Sequence, residues 1–165
     1  NEFYSTSNIT ISYETKLLDT AGGVKNAMRL FDDEDVVVTN CDIYWKKDNE
    51  KDVINFIKSY NSKDECRLLL VKKEQAFGLI NKKGDFSIKN NLVKRWKKGE
   101  EIFYYSGLQM ISLNILNNIT LNKFSFNHVW DYQINKSSLY GNIMFSRLYH
   151  VGDKNGLNEA INSDT

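Results

Sequence analysis

The sequence predicts an α/β fold in which helices flank a sheet, and three observations predict it. Short aliphatic runs, VVV at 36–38 and LLLV at 68–71, suit strands buried on both faces. Segments with apolar residues at helical spacing, AGGVKNAMRLF at 21–31 and KDVINFIKSY at 51–60, stand before and between those runs. The resulting strand, helix, strand rhythm favours a parallel sheet, because a crossover helix returns the chain to run in the same direction. With 165 residues, 41% hydrophobic and 13% aromatic, the chain can bury one substantial core. No repeat, linker or low-complexity segment divides it, so residues 1–165 are expected to form a single domain.

Taken in order, NITISYE at 8–14 alternates apolar and polar residues like a strand, and AGGVKNAMRLF follows as a helix. DEDVVVTNCD supplies a short β-branched strand, and KDVINFIKSY places Val53, Ile54, Phe56 and Ile57 as a helix packed on it. CRLLLVKK at 66–73 is the next strand. FGLINKKGDFSI reads as a hairpin turning at Lys83, Gly84 and Asp85, since Gly and Asp tolerate turn geometry. EIFYYSGLQMIS at 101–112 is a further strand, and SLNILNNI a short helix. FNHVWDYQINK sets Val129, Trp130 and Ile134 on one helical side. LYGNIMF and RLYHV alternate as two strands around a tight connection, and KNGLNEAINS closes as a helix.

Charge and cysteine usage exclude several function classes. A formal net charge of +1 provides no general basic field, and the runs KKGDFSIKN and KRWKKGEE mix bases with acids, so no nucleic-acid partner is expected. Lys94, Arg95, Lys97 and Lys98 read as a solvated face. No apolar segment approaches the roughly 20 residues that span a bilayer, and NEFYSTSN lacks a basic-then-apolar signal pattern. No membrane partner is expected, and a cytoplasmic location follows as the default. Cys41 and Cys66 have neither a CxxC partner nor a His cluster and read as buried structural thiols. Proline is absent, so turns must rest on Gly, Asn and Asp. His128, Trp96, Tyr104, Tyr105, Trp130 and Tyr149 read as core and rim packing.

The most informative stretch is LLDTAGGVKNAM at 17–28, followed by VVVTNCD ending at Asp42. Backbone near Gly22 and Gly23 can approach a ligand closely because no Cβ intervenes, and the helix N-terminus there favours electron-rich or anionic groups. Asp42 then ends a strand where a hard cation could be held. Taken singly, a TAGG turn is an ordinary connection, and an Asp after a strand is more often a cap or turn residue.

The ordered succession ISYETKLLDTAGGVKNAM, VVVTNCDIYW, YYSGLQMIS, FNHVWDYQINKSSLYG and LYHVGDKNGLNEA resembles the sugar-1-phosphate nucleotidyltransferases. Within these it is most similar to N-acetylmuramate-1-phosphate uridylyltransferase and mannose-1-phosphate guanylyltransferase-like enzymes, and the resemblance covers about residues 8–162. It implies a Rossmann-like mixed α/β sheet flanked by helices. It also implies a reaction in which a sugar-1-phosphate oxygen attacks the α-phosphorus of a nucleoside triphosphate and releases pyrophosphate. Such a displacement relies on positioning and charge neutralisation, which magnesium and basic groups supply. Carried over by position, Glu14, Thr20, Ala21, Gly22 and Gly23 would lie against the nucleotide. Gly107 would line the sugar pocket and leave room for the hexose. Asp42 would be the first magnesium ligand, and His150 stands where many members place a second carboxylate. No residue is implied as a catalytic acid or base.

Two departures from the family pattern shape the expectation. A neutral imidazole at His150 is a poor magnesium ligand beside a carboxylate, and Asp153 is the alternative carboxylate close by. The family's N-terminal strand and Gly-rich triphosphate loop have no counterpart in these 165 residues. The chain is therefore expected to correspond to the C-terminal two-thirds to three-quarters of such a domain, truncated at its N-terminus. Loss of even one well-placed donor to the transition state costs on the order of 10²–10³ in rate. Two readings follow. One is a transferase that works only with a separately encoded N-terminal fragment; the other is a non-catalytic nucleotide-sugar-binding or interaction remnant.

Overall fold

A computed structural model describes residues 9–79 and 83–163. Among the described residues the fold is mixed α/β, with nine strands, β1 (Asp35–Thr39), β2 (Ile43–Tyr44), β3 (Cys66–Lys72), β4 (Ala76–Phe77), β5 (Phe86–Lys89), β6 (Leu92–Arg95), β7 (Phe103–Ser112), β8 (Tyr140–Met144) and β9 (Leu148–His150). Five α-helices accompany them: α1 (Asp19–Ala27), α2 (Glu50–Ser59), α3 (Asn114–Asn117), α4 (Phe126–Asn135) and α5 (Lys154–Asn162).

The main sheet has the order β1-β7-β3-β8-β6-β5. β7 runs antiparallel to both β1 and β3, while β3 and β8 are parallel. β1, β3 and β8 therefore share a direction, as the strand, helix, strand rhythm requires, but β7 is inserted between β1 and β3. The sheet is mixed, as the family resemblance implies, and not parallel throughout. A smaller sheet, β2-β9-β4, extends it. Its strands follow directly from β1, β8 and β3 through Asn40–Asp42, Phe145–Arg147 and Lys73–Gln75.

The core lies on both faces of the main sheet. Leu68, Leu70, Ile111, Phe126, Val129 and Trp130 pack on one side with α1 and α4. Leu69, Val71, Phe56, Tyr104, Met110, Met144 and Leu148 pack on the other, under α2. The unbroken apolar run of β3 follows from this placement, since a strand covered on both faces has no polar side to present.

Several sequence expectations require correction. Residues 9–14 form no strand: Ile9, Ile11 and Tyr13 are exposed, and alternation makes a strand only where a sheet edge and a core receive it. Asn8 lies outside the described residues. β1 is not buried on both faces: it is an edge strand of the main sheet, with Val36 buried on one face and Val37 exposed on the other. The expected hairpin across 77–88 does not form. Its arms join different sheets, β4 beside β9 and β5 beside β6, and residues 80–82 lie outside the described part.

The hairpin that does form is β5–β6, turning at Asn90 and Asn91 with φ of +51° and +63°. Positive φ at both central residues matches the right-handed strand twist, and Asn tolerates it. β8 and β9 are strands, as expected, but they are not partners. The Asp52 carboxylate accepts from the Phe145 and Ser146 amides at 3.0 and 2.8 Å and from Ser146 Oγ at 2.6 Å. Buried Asn49 donates to Ser146 Oγ and the Arg147 carbonyl, both at 2.8 Å. The connection is thus held by the first turn of α2 and the residue before it, and redirected into the second sheet. Cys66 is buried as expected, whereas Cys41 is exposed beyond the end of β1. No helix among the described residues is long and apolar enough to cross a membrane.

Candidate functional site

The site is built where the co-directional strands end. Asp42 closes the β1–β2 connection, and His150 ends β9, which pairs with β2 in the register Ile43↔His150. The Val151 amide donates to the Asp42 carbonyl at 2.8 Å and fixes the two segments together. His150 Nε2 then stands 3.3 Å from Asp42 Oδ2. The His150 backbone is gripped closely on two sides, since Cβ atoms at Gly78 and Gly156 would lie 2.3 and 2.0 Å from its carbonyl oxygen. No side chain larger than hydrogen fits either position without moving β9.

Beside this pair lies a cleft of about 320 Å³, lined by Thr20, Asn40, Ile43, Arg95, Tyr105, Gly107, Ser125, Trp130 and His150 among others. Its size is that of a small-molecule site. β7 shapes the floor. Between the pairs Leu70↔Tyr105 and Leu68↔Gln109, β7 has three residues where β3 has one, so the strand bulges at Ser106–Leu108. Gly107 sits at the bulge with φ +87°, and its carbonyl accepts from the Asn40 amide at 2.8 Å. Such bulges redirect side chains beside binding sites.

Three polar atoms at this place are buried and have no hydrogen-bond partner among the described residues: Asp42 Oδ1, His150 Nδ1 and the Tyr105 hydroxyl. Buried polar atoms of this kind call for a ligand, ion or water, because leaving one unpaired costs about 1–3 kcal/mol. Burial pushes the Tyr105 phenol far above its ordinary range, with Cys66 and Asp42 adding to the effect, so it stays protonated and able to donate. Trp130 meets Tyr105 edge-on at 4.8 Å and donates from Nε1 to buried Gln109 at 2.9 Å, which fixes the aromatic wall.

Of the residues singled out from sequence, Thr20, Gly107 and His150 line the cleft, and Asp42 joins through its contact with His150. The others lie elsewhere. The Gly pair is inside α1 and not in a loop before it. The amides of Ala21 and Gly22 both donate to the Phe124 carbonyl, at 3.2 and 3.0 Å, so these helix N-terminal groups are already satisfied. A Cβ on Gly22 would lie 2.5 Å from the Asn122 carbonyl oxygen. Glycine there lets α1 seat against the 122–126 segment. Glu14 accepts from the Leu18 amide at 3.0 Å and lies against Gly23. The space that a Gly107 side chain would need is taken by Ile43, whose Cγ1 is 2.5 Å from the Cβ position. Asp153 caps α5, accepting from the Gly156 amide at 2.8 Å.

Sequence reasoning missed Tyr105 and Arg95. Tyr105 precedes Gly107 by two residues on the same strand, a signal that strand periodicity offers. Arg95 belongs to a charge run read as solvated, yet it contacts Asp131 at 2.7 Å and Asn127 at 2.7 Å and faces the cleft. Nothing in the spacing separates it from its neighbours.

A carboxylate and an imidazole delivered to the carboxyl ends of co-directional strands, beside a cleft, occupy the place where open α/β sheets hold their ligands. Solved structures with this fold include a thymidylyltransferase and a CTP transferase. HddC from Yersinia pseudotuberculosis, in complex with GMP-PN, matches at a TM-score of 0.67 and 19% identity, covering 92% of this chain and 65% of its own. A protein described as a glucose-1-phosphate thymidylyltransferase from Bacillus anthracis, in complex with sucrose, matches at 0.64 and 14% identity, covering 89% and 61%. The inositol-1-phosphate CTP transferase from T. maritima matches at 0.65 and 10% identity, covering 88% and 60%. The fold is that of the Rossmann-like nucleotidyltransferases. The chain spans 60–65% of the length of these structures. No protein-family profile and no curated protein matches the sequence.

Proposed function

We propose that this chain forms the sugar-phosphate and metal half of a sugar-1-phosphate nucleotidyltransferase, joining a nucleoside triphosphate to a sugar-1-phosphate with release of pyrophosphate. The observation that carries the reading is the junction of Asp42 and His150 beside the cleft, on a fold of this type. A divalent cation supplies phosphate-charge neutralisation in such a reaction. The buried, unpartnered Asp42 Oδ1 fits one carboxylate ligand to an ion held otherwise by water and substrate phosphates. Thr20, Gly107 and Tyr105 position the substrate in the cleft, with Tyr105 as a hydrogen-bond donor and Trp130 as an apolar wall. The cleft does not reach Glu14, Ala21, Gly22 and Gly23, and the Ala21 and Gly22 amides are bonded to Phe124, so nucleotide contacts are assigned to Thr20 alone of that stretch.

Activity further requires a triphosphate loop from polypeptide outside residues 1–165, whether joined to Asn1 or separately encoded. The outer edge of β1 pairs with no described strand and offers the place for a neighbouring strand.

Thermal unfolding of the chain with a divalent cation and UDP- or GDP-sugars tests the reading, because a ligand bound to the native state raises stability by mass action. An upward shift for one base is expected. A transition unmoved by every nucleotide-sugar overturns it.

A further inference from the structure

We infer that the Asp42–His150 pair selects an ion of the manganese class over magnesium. The inference rests on the metal reading above and concerns which cation the site takes. Asp42 Oδ2 and His150 Nε2 are 3.3 Å apart, and two donors bound to one ion at about 2.1 Å and at right angles are about 3 Å apart. The pair therefore suits two adjacent positions on a single octahedral ion.

Gly152 packs directly against the pair. A Cβ there would lie 3.1 Å from His150 Nε2, 3.2 Å from Asp42 Oδ2 and only 2.6 Å from His150 Cε1. Any other residue would press on both donors. Asp42 Oδ1, buried and without a partner among the described residues, leaves carboxylate charge for a cation to offset.

The donor set then decides the ion. Magnesium prefers oxygen throughout, whereas imidazole nitrogen raises affinity for first-row transition ions. Among the described residues no group of three His, Cys, Asp or Glu side chains forms a metal cage. Those residues build no closed tetrahedral zinc site, and an ion held by two side chains would complete its shell with water and phosphate oxygens, which suit manganese.

The test is a titration of the 165-residue chain with Mn²⁺, followed by the loss of the free-ion paramagnetic resonance signal, with Mg²⁺ as competitor. Mn²⁺ held at least tenfold more tightly than Mg²⁺ is expected, and His150→Asp should lower that ratio at least threefold. The chain has only two histidines, so bound Mn²⁺ should broaden the ring signals of His150 before those of His128. Gly152→Ala should weaken binding of both ions while the unfolding midpoint without metal stays within a few degrees. Equal affinity for the two ions, or an unchanged ratio in His150→Asp, overturns the selectivity and leaves the metal reading standing. Binding of neither ion overturns both.

Discussion

The Ile43 side chain fills the place where Gly107 would carry a Cβ, its Cγ1 lying 2.5 Å from that position. The contact joins the bulge of β7 to β2, and so ties the floor of the cleft to the strand that follows Asp42. Gly107→Ala should combine positive-φ strain with this clash. A loss of about 1–3 kcal/mol in urea unfolding is expected. Unchanged stability would mean that the bulge relaxes freely and does not position Ile43.

Gly22 and Gly23 are adjacent yet should respond differently. Gly22→Ala meets the Asn122 backbone and should lose about 1–3 kcal/mol as α1 is pushed from the 122–126 segment. Gly23→Ala meets only the movable end of Glu14, and the better helix former offsets that contact by up to about 1 kcal/mol. Chemical denaturation of the two variants side by side checks the contrast. Equal losses would argue against the packing role assigned to Gly22.

Asp52 is expected to hold the β8–β9 connection. Asp52→Ala leaves the Phe145 and Ser146 amides without their acceptor, at a cost of about 1–3 kcal/mol. Amide exchange should accelerate at Phe145 and Ser146 first. If exchange rises uniformly along the chain, the carboxylate is not a local anchor.

Alkaline pH should destabilise the protein. Burial, with Glu65 adding to it, pushes the Cys66 thiol far above its usual range, whereas an unfolded cysteine ionises near pH ~8.5. The folded state then retains a proton that the unfolded state releases. The contribution is complete below pH ~8.5 and declines as pH rises toward the folded value. Urea midpoints should fall between about pH 8.5 and 10, and less steeply in Cys66→Ala. Parallel profiles for the two proteins would remove Cys66 as the source.

Much of the fold was legible because its signals are local. Helical spacing marks α1, α2, α4 and α5, and the apolar run of β3 marks a central strand. Pairing was not legible, because it depends on what lies beside a strand. The alternation at 9–14 finds no strand partner among the described residues, and the arms flanking Gly84 separate into two sheets. The Asn90–Asn91 turn was readable in principle, but the basic residues after it read as a solvated face. At the site, the order of motifs singled out Asp42 and His150, which the fold brings together. It could not show that the helix amides near the Gly pair are taken by Phe124, since that segment lies a hundred residues away in sequence.

The three connections that carry β1, β3 and β8 into the smaller sheet are Asn40–Asp42, Lys73–Gln75 and Phe145–Arg147, each three residues long. Three links this short, set side by side, restrict how far the smaller sheet can swing relative to the larger one. A ligand seated at Asp42 and His150 would meet a stiff wall, and any closing motion around it would come from other segments. Discrimination among ligands at that wall would then arise from fit to a fixed shape and not from rearrangement around each one.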